Sequence, residues 1–179
     1  MDAFEIRDTL STFRILADTR EQNTSRAAER FAAFGCPVER VTLSYGDYCG
    51  QVTFPNGDDL YCTSNTIQPE VVIERKMSLD EAAACFTRGR DRFRREFERA
   101  TDAGAKVWLL VEGGSWEAIA NHRYRSKFNE NALRASLLAW SIRYDMKLVF
   151  CKPGTSGALI KEILYREIKE KLERGVFDE

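Results

Sequence analysis

The chain has 179 residues, of which 44% are hydrophobic and 31% charged, so it can enclose a full core and is too apolar to be disordered. Its net charge of −1 argues against strong nonspecific binding to polyanions. No segment approaches the roughly 20 apolar residues of a membrane span, and residues 1–5 lack a signal-peptide start. We therefore expect no membrane partner and a cytoplasmic location, in the cell or in the host of a virus.

Hydrophobic periodicity and turn residues divide the chain into alternating strands and helices. In chain order, we predict a strand over 13–17, a helix from Thr24 or Ser25 to about 34, strands over 38–43 and 47–54, a hairpin over 51–62, a strand over 70–75, a helix over 78–103, a strand over 106–112, a short helix over 115–120, a helix over 131–144, a strand over 147–151 and a helix over 155–174. This order predicts an α/β fold, a mixed central sheet flanked by helices on both faces, in a single domain over 1–179.

Acidic residues stand at the ends of three predicted elements. Asp18 ends the first strand, Asp47 follows Gly46 at the start of another, and Glu74 lies near the end of the 70–75 strand. Lys76 lies two positions after Glu74, and side chains two apart on a strand point to the same face. Carboxylates beside an ammonium group are what metal-dependent phosphodiester cleavage requires.

We therefore predict a Mg²⁺ or Mn²⁺ site formed by Asp47, Glu74 and the backbone carbonyl of Arg75. Lys76 would orient a water molecule or help to deprotonate it. Asp80, in the first turn of the next helix, would hold Lys76 or Arg75 in place or bind water of the metal. Loops that bind nucleotide phosphates, G-x-G-x-x-G or G-x-x-x-x-G-K-[ST], are absent from the sequence, so no nucleotide cofactor is expected.

These residues resemble a known signature. Asp18-Thr19-Arg20-Glu21, Gly46-Asp47-Tyr48 and Val72-Ile73-Glu74-Arg75-Lys76 with Asp80 are similar to the G-D-x(n)-E-R-K-x-x-x-D pattern of the XPF-type structure-specific endonucleases. Gly89-Arg90 resembles a Gly-Arg step of that family, and the likeness extends over roughly 13–151. The resemblance implies a restriction-endonuclease-like core and Mg²⁺- or Mn²⁺-dependent cleavage of branched or flapped DNA in repair or recombination.

The resemblance also implies which residues act in catalysis: Asp18, Arg20, Asp47, Glu74, Arg75, Lys76 and Asp80. Two features differ from the family. The segment between Asp47 and Glu74 is longer than in compact members, and 152–179 predicts one helix where larger members carry helix-hairpin-helix modules. Such stand-alone versions are expected from bacteria or phages, and a heterologous partner could supply the missing DNA-binding module.

The predicted helix over 78–103 is rich in arginine. Arg88, Arg92, Arg95 and Arg99 fall on one face at about 100° per residue, opposite apolar residues. We predict that this stripe, together with Arg90, contacts DNA phosphates; the alternative is a solvated face whose arginines pair with Asp91, Glu96 and Glu98. On the 131–144 helix, a stripe of Leu133, Leu137, Trp140 and Tyr144 indicates core packing or, as the family resemblance implies, a homodimer interface.

Other classes of protein fit the same features. Because the family includes inactive partners, a catalytically silent DNA-binding or scaffold subunit is the main alternative, although the chain keeps the acids and the lysine. A further alternative is an exonuclease or nickase of a related restriction-like fold.

Overall fold

The computed structural model describes residues 1–177. Its strands are β1 (Arg14–Asp18), β2 (Val38–Val41), β3 (Tyr48–Gln51), β4 (Val71–Lys76), β5 (Lys106–Glu112) and β6 (Lys147–Cys151). Its helices are α1 (Ala3–Ser11), α2 (Ser25–Phe34), α3 (Leu79–Cys85), α4 (Arg90–Asp102), α5 (Trp116–Ala120), α6 (Glu130–Arg143) and α7 (Pro153–Glu173).

The strands form one mixed sheet in the order β2-β1-β3-β4-β5-β6. Strands β4, β5 and β6 are mutually parallel, and β1 is parallel to β2, whereas β3 runs antiparallel to both of its neighbours, β1 and β4. The α/β class and the mixed sheet predicted from the sequence are therefore confirmed. Because β3 runs antiparallel to β4, Asp47, directly before β3, lies beside Glu74, near the end of β4.

Alternating side chains of the sheet enter two different cores. Val72, Leu109 and Val111 pack with α3, α4, α5 and α6 on one face, while Ile73 and Leu110 pack with α1, α2 and α7 on the other. Because β4 and β5 are covered on both faces, residues 71–73 of β4 and 107–111 of β5 are continuous apolar runs. The sequence-predicted stripe on α6 lies in the first core: Leu133, Leu137 and Trp140 are buried.

Three predicted elements differ from the observed ones, and one observed helix was not predicted. The prediction of one helix over 78–103 is wrong, because residues 86–89 form turns between α3 and α4 and Gly89, a poor helix former, precedes α4. Helix α1 was missed, although Asp2 and Glu5 form a capping box at its start. The β3 strand is shorter than 47–54, and the 51–62 hairpin is held by an isolated Thr53–Asp59 bridge.

Among the described residues, no helix is long and apolar enough to cross a membrane.

Candidate active site

Backbone hydrogen bonds place Asp47 at the centre of the sheet. Its N–H donates to the carbonyl of Ile73 (2.8 Å), and its carbonyl accepts from the N–H of Asp18 (2.9 Å). The side chain turns toward β4, where its Oδ2 accepts the N–H of Arg75 at 2.7 Å. One carboxylate oxygen of Asp47 is thus fixed by the backbone of β4, which sets the direction of the other.

Glu74 and Lys76 project from the same face of β4, as the strand spacing predicts. Their side chains form an ion pair, and the residues are only 4% and 9% exposed. Burial and the neighbouring Asp47 carboxylate raise the pKa of Glu74 to about 8. Burial also raises the pKa of Asp47 to about 6, although the ammonium of Lys76 opposes the shift. The two acids therefore repel each other, as carboxylates that share a cation site do.

Lys76 is held in its charged form. Burial alone would lower the pKa of its ammonium, but the carboxylates of Glu74 and Asp47 outweigh burial and raise the pKa above the ordinary value. A lysine that stays protonated at neutral pH donates hydrogen bonds and positive charge and does not accept a proton. Of the two roles predicted for Lys76, orienting a group fits this environment and deprotonating water does not.

A cleft of about 710 Å³ opens onto these residues. Asp47, Glu74 and Lys76 line it, together with Glu96, a carboxylate that was not predicted from the sequence to belong to the site. Glu96 lies on α4 and its Oε1 accepts the N–H of Gly46 at 3.1 Å. Its charge contributes to the raised pKa of both Asp47 and Glu74. The sequence signal for Glu96 was its place on the core-facing side of α4, three residues after Phe93.

Arg75 points to the opposite side of β4, as predicted, into a group of buried charges. Its guanidinium lies 3.4 Å from Glu21 and 3.4 Å from Glu112. Arg30 also reaches both acids, at 2.5 Å from Glu21 and 3.8 Å from Glu112, and its Nε donates to the hydroxyl of Tyr48 at 3.0 Å. The ion pairs of Arg75 and Arg30 therefore link α2, β4, β5 and the segment after β1. The backbone carbonyl of Arg75 remains a predicted metal ligand.

Asp18 is buried and acts through Arg20. Its Oδ1 accepts the N–H and the Nε of Arg20 at 2.7 and 2.6 Å, and its Oδ2 accepts the N–H of Leu43 at 2.8 Å. This pairing raises the pKa of the Arg20 guanidinium, which lines the cleft and keeps 59% of its side-chain surface exposed. The described contacts thus make Asp18 a positioning residue for Arg20.

Asp80 lies in the first turn of α3, as predicted, but its side chain does not make the predicted contacts. Its Oδ1 accepts the backbone N–H groups of Arg125 and Ser126 at 2.8 and 2.7 Å, and its Oδ2 lies 3.5 Å from the Arg125 guanidinium. It makes no described contact with Lys76 or Arg75. The expectation that Asp80 holds either of those side chains is wrong, because the first turn of α3 directs it to the loop after α5.

The arginines on and just before α4 divide into four groups. Arg92 and Arg99 line the main cleft, and Arg88 lines a second cleft that shares Glu74 and Lys76 with it. Arg90 and Arg95 line neither cleft. The alternative of a solvated, ion-paired face holds for Arg94, which lies 3.8 Å from Asp91 and 3.3 Å from Glu98.

Because of the turn at 86–89, Arg88 is not part of one continuous helical stripe with Arg92, Arg95 and Arg99. Arg20 and Arg26 also line the main cleft, and Arg20 lies beside Arg99, since their guanidiniums donate to the neighbouring carbonyls of Leu43 and Ser44 at 3.2 and 3.5 Å. Several arginines therefore border the acidic floor of the cleft.

The donor atoms suit a hard cation such as Mg²⁺. Asp47 and Glu74 supply carboxylate oxygens whose pKa is raised mainly by burial and further by neighbouring acids, and a bound cation would favour their ionised forms. Within residues 1–177, no group of three or more His, Cys, Asp or Glu side chains is arranged to hold a metal ion. An ion would thus take further ligands from the Arg75 carbonyl, water and substrate, as Mg²⁺ commonly does.

The six-stranded mixed sheet flanked by helices, with acids and a lysine at the meeting point of β3 and β4, is of the restriction-endonuclease-like class. The family profile described as "ERCC4 domain" matches residues 17–162, so the chain belongs to the ERCC4 domain family of structure-specific DNA endonucleases. A comparison with curated proteins gave no match.

Two solved structures share the fold. XPF from Aeropyrum pernix superposes with a TM-score of 0.59 at 20% identity, covering 92% of this chain and 69% of that one. XPF from Aeropyrum pernix in complex with DNA gives a TM-score of 0.57 at 24% identity, covering 88% of this chain and 65% of that one. The bound DNA is an observation on the Aeropyrum pernix protein. At 20% and 24% identity, these two structures show that the present chain shares their fold.

Proposed function

We propose that this protein is a divalent-metal-dependent DNA endonuclease that hydrolyses phosphodiester bonds at the cleft formed by β3, β4 and α4. The observation that carries the proposal is the buried cluster of Asp47, Glu74 and Lys76, in which burial and charge crowding raise the pKa of both acids. A cluster that costs the fold stability and opens onto a cleft is a mark of a functional site. Branched or flapped DNA is the proposed substrate class.

The chemical roles follow from the geometry. A bound Mg²⁺ or Mn²⁺ would act as a Lewis acid on the scissile phosphate. Asp47 and Glu74 would hold the ion, with the Arg75 N–H keeping Asp47 in place. The ammonium of Lys76, which stays protonated, would orient the attacking water and stabilise charge on the phosphate. As the water oxygen bonds to phosphorus, the bond from phosphorus to the leaving sugar oxygen would break; the water would release a proton to solvent, and the leaving oxygen would take up a proton from solvent.

The arginines that line the cleft would hold the DNA backbone. Arg92 and Arg99 come from α4, Arg26 from α2 and Arg20 from the segment after β1. Arg26 has no acidic partner among the described residues, so its charge is available to a phosphate. Contacts of this kind position DNA without reading its sequence. We propose that Arg88 extends this surface and that Arg90 and Arg95 contribute less.

Salt dependence of binding tests the DNA path. The Arg92→Ala/Arg99→Ala variant should weaken binding and lower the slope of log affinity against log salt by about 2, because each lost phosphate contact removes roughly one released counterion. Arg94→Ala is the matched control, since Arg94 lies on the same helix but is ion-paired away from the cleft. An equal change in slope for both variants would remove α4 from the proposed interface.

Substrate preference tests the proposed activity. Labelled duplex, flap, fork and four-way-junction DNA would be incubated with the protein in Mg²⁺, Mn²⁺ or chelator. We expect metal-dependent internal cuts, with branched substrates cut faster than duplex. Progressive degradation of linear DNA from its ends, with closed circular DNA left intact, would instead identify an exonuclease.

Binding without cutting of any substrate would identify the main alternative, a silent DNA-binding subunit. Retention of Asp47, Glu74 and Lys76 in one buried cluster favours the active enzyme.

Assembly with a second copy or a heterologous DNA-binding partner is also a proposal. Of the predicted stripe, Leu133, Leu137 and Trp140 are buried in the core and Tyr144 is partly buried against it, so we propose the exposed face of α6 for such a contact. The exposed apolar residues of the same helix are Leu138, at 47% exposure, and Ile142, at 84%. If two copies associate through this face, Ile142→Glu should shift the mass measured by light scattering to that of a monomer. A monomeric wild-type protein at high concentration would exclude the homodimer.

A further inference from the structure

Glu96 is a carboxylate that the metal proposal leaves without a role. It lies half-buried on α4, across the cleft from β4, and within residues 1–177 it forms no ion pair, although Arg92, Arg95 and Arg99 are nearby on its helix. Its Oε1 instead accepts the backbone N–H of Gly46 at 3.1 Å. Its charge stabilises the Arg20 guanidinium and raises the pKa of Asp47 and of Glu74, so Glu96 belongs to the same group of charges as the proposed metal ligands.

The group that Glu96 holds is the turn that places Asp47. Gly46 has a φ of +72°, and a Cβ there would lie 2.1 Å from Val72 Cγ2, so this turn passes very close to β4. The following residue, Asp47, is bound to the sheet by its own N–H, its carbonyl and its Oδ2. The Gly46 N–H is the remaining backbone donor at the entrance to β3, and its acceptor comes from α4.

We infer that Glu96 is a positioning residue: its hydrogen bond to Gly46 ties α4 to the turn and so sets where Asp47 presents its free carboxylate oxygen to the cleft. The inference rests on the proposed function, because the position of that oxygen matters only if Asp47 binds the metal. Helix α4 also carries Arg92 and Arg99 on the same side. Arg99 adds a longer contact to the same turn, with its Nη2 3.5 Å from the carbonyl of Ser44. The Glu96 hydrogen bond therefore helps to keep the phosphate-binding arginines in register with the acid.

Two variants distinguish the effect of the Glu96 hydrogen bond from the effect of its charge. Glu96→Gln keeps an oxygen that can accept the Gly46 N–H, whereas Glu96→Ala removes it. Partners of metal ligands typically change metal affinity or activity by about 10- to 100-fold when removed. We expect Glu96→Ala to weaken Mn²⁺ binding by about 10-fold and lower kcat by a similar factor with KM for DNA unchanged, and Glu96→Gln to stay within about 3-fold of wild type.

Three measurements test the inference: Mn²⁺ affinity by calorimetry, single-turnover cleavage, and amide hydrogen exchange at Gly46 in the absence of metal. Exchange at Gly46 should accelerate in Glu96→Ala and not in Glu96→Gln. Glu98→Ala is the matched control, because Glu98 lies on the same helix and pairs with Arg94 outside the cleft. Circular dichroism would show that each variant is folded.

The inference and the proposed function fail in different ways. If the wild-type protein neither binds Mn²⁺ nor cuts DNA, the proposed function is wrong, while the exchange at Gly46 still reports the hydrogen bond. If wild type binds and cuts but Glu96→Ala matches it, the positioning role is overturned. If Glu96→Gln is as impaired as Glu96→Ala, charge rather than the hydrogen bond is what the site needs, and the role is again overturned.

Discussion

Replacing Gly46 with alanine should destabilise the protein more than the same change at a glycine of similar conformation. The backbone at Gly46 has a φ of +72°, and its added Cβ would meet Val72 Cγ2 at 2.1 Å, with the Cβ and Cγ1 of Val72 at 3.1 Å. Gly104 has nearly the same φ, +71°, but a Cβ added there would meet no atom within 4 Å. The pair therefore separates the cost of the backbone conformation from the cost of the steric clash.

The expected magnitudes follow from these two costs. An alanine in the left-handed region costs about 1–2 kcal/mol, and this applies equally to Gly104→Ala and Gly46→Ala. Overpacking against the fully buried Val72 adds about 1–3 kcal/mol for Gly46→Ala alone. With a urea m-value of about 2 kcal/mol per M, the unfolding midpoint should fall by about 0.5–1 M for Gly104→Ala and by about 1–2.5 M for Gly46→Ala.

Val72→Ala in the Gly46→Ala background provides the decisive comparison. Because the smaller side chain removes the clashing methyl groups, the double variant should be less destabilised than the sum of the single variants by about 1 kcal/mol or more. DNA cleavage should also fall in Gly46→Ala, where Asp47 is displaced, and not in Gly104→Ala. Equal midpoints for the two glycine variants, or additive energies in the double variant, would refute the close approach of this turn to β4.

Three further predictions concern other groups of the site. The pKa of the Glu74 carboxyl group is raised from 4.5 to about 8 in the metal-free fold. The folded protein therefore binds the proton of this carboxyl group more tightly than the unfolded chain does, so the fold loses stability as the pH rises from about 4.5 to 8. Glu74→Gln should flatten that loss in urea unfolding measured from about pH 4.5 to 8 with chelator, because glutamine does not ionise; an unchanged pH dependence would contradict the assigned environment. Asp80→Ala should leave the N–H groups of Arg125 and Ser126 without acceptors, and their amide exchange should accelerate while exchange in the central strands does not; unchanged protection would contradict the assigned role. Arg75→Lys should lower thermal stability by about 1–3 kcal/mol, because an ammonium cannot bridge both acids as the guanidinium fork does, and an unaltered melting temperature would show the bridge to be unimportant.

Much of the site could be predicted because its chemistry is local in sequence. Glu74 and Lys76 share a strand face by simple alternation, and Arg75 falls on the other face for the same reason. Asp47 could be placed beside Glu74 once a mixed sheet was expected. The arginines of α4 could be assigned to a surface because the buried positions of that helix, Phe93 and Phe97, have helical spacing.

The remaining features depend on contacts between distant segments. Asp80 carries the expected first-turn position, but its partner lies 45 residues away in a loop whose path no local pattern specifies. Glu96 sits among arginines that suggest ion pairs, and only the packing of α4 on the sheet directs it to Gly46. The break before Arg90 depends on Gly89 and on the separate packing of α3 and α4, which a continuous apolar periodicity conceals.

The most direct test of the proposed catalytic cluster is cleavage of closed circular DNA by the wild-type protein and by Asp47→Asn. Asparagine keeps the shape of Asp47 and removes its charge, and it avoids the unpaired buried Glu74 that Lys76→Ala would leave. We predict that wild type cuts the circle in Mg²⁺ or Mn²⁺ and not in chelator, while Asp47→Asn binds the DNA equally well and does not cut. Cutting in chelator, wild-type cutting by Asp47→Asn, or binding without cutting by the wild-type protein would contradict the proposed role of this cluster.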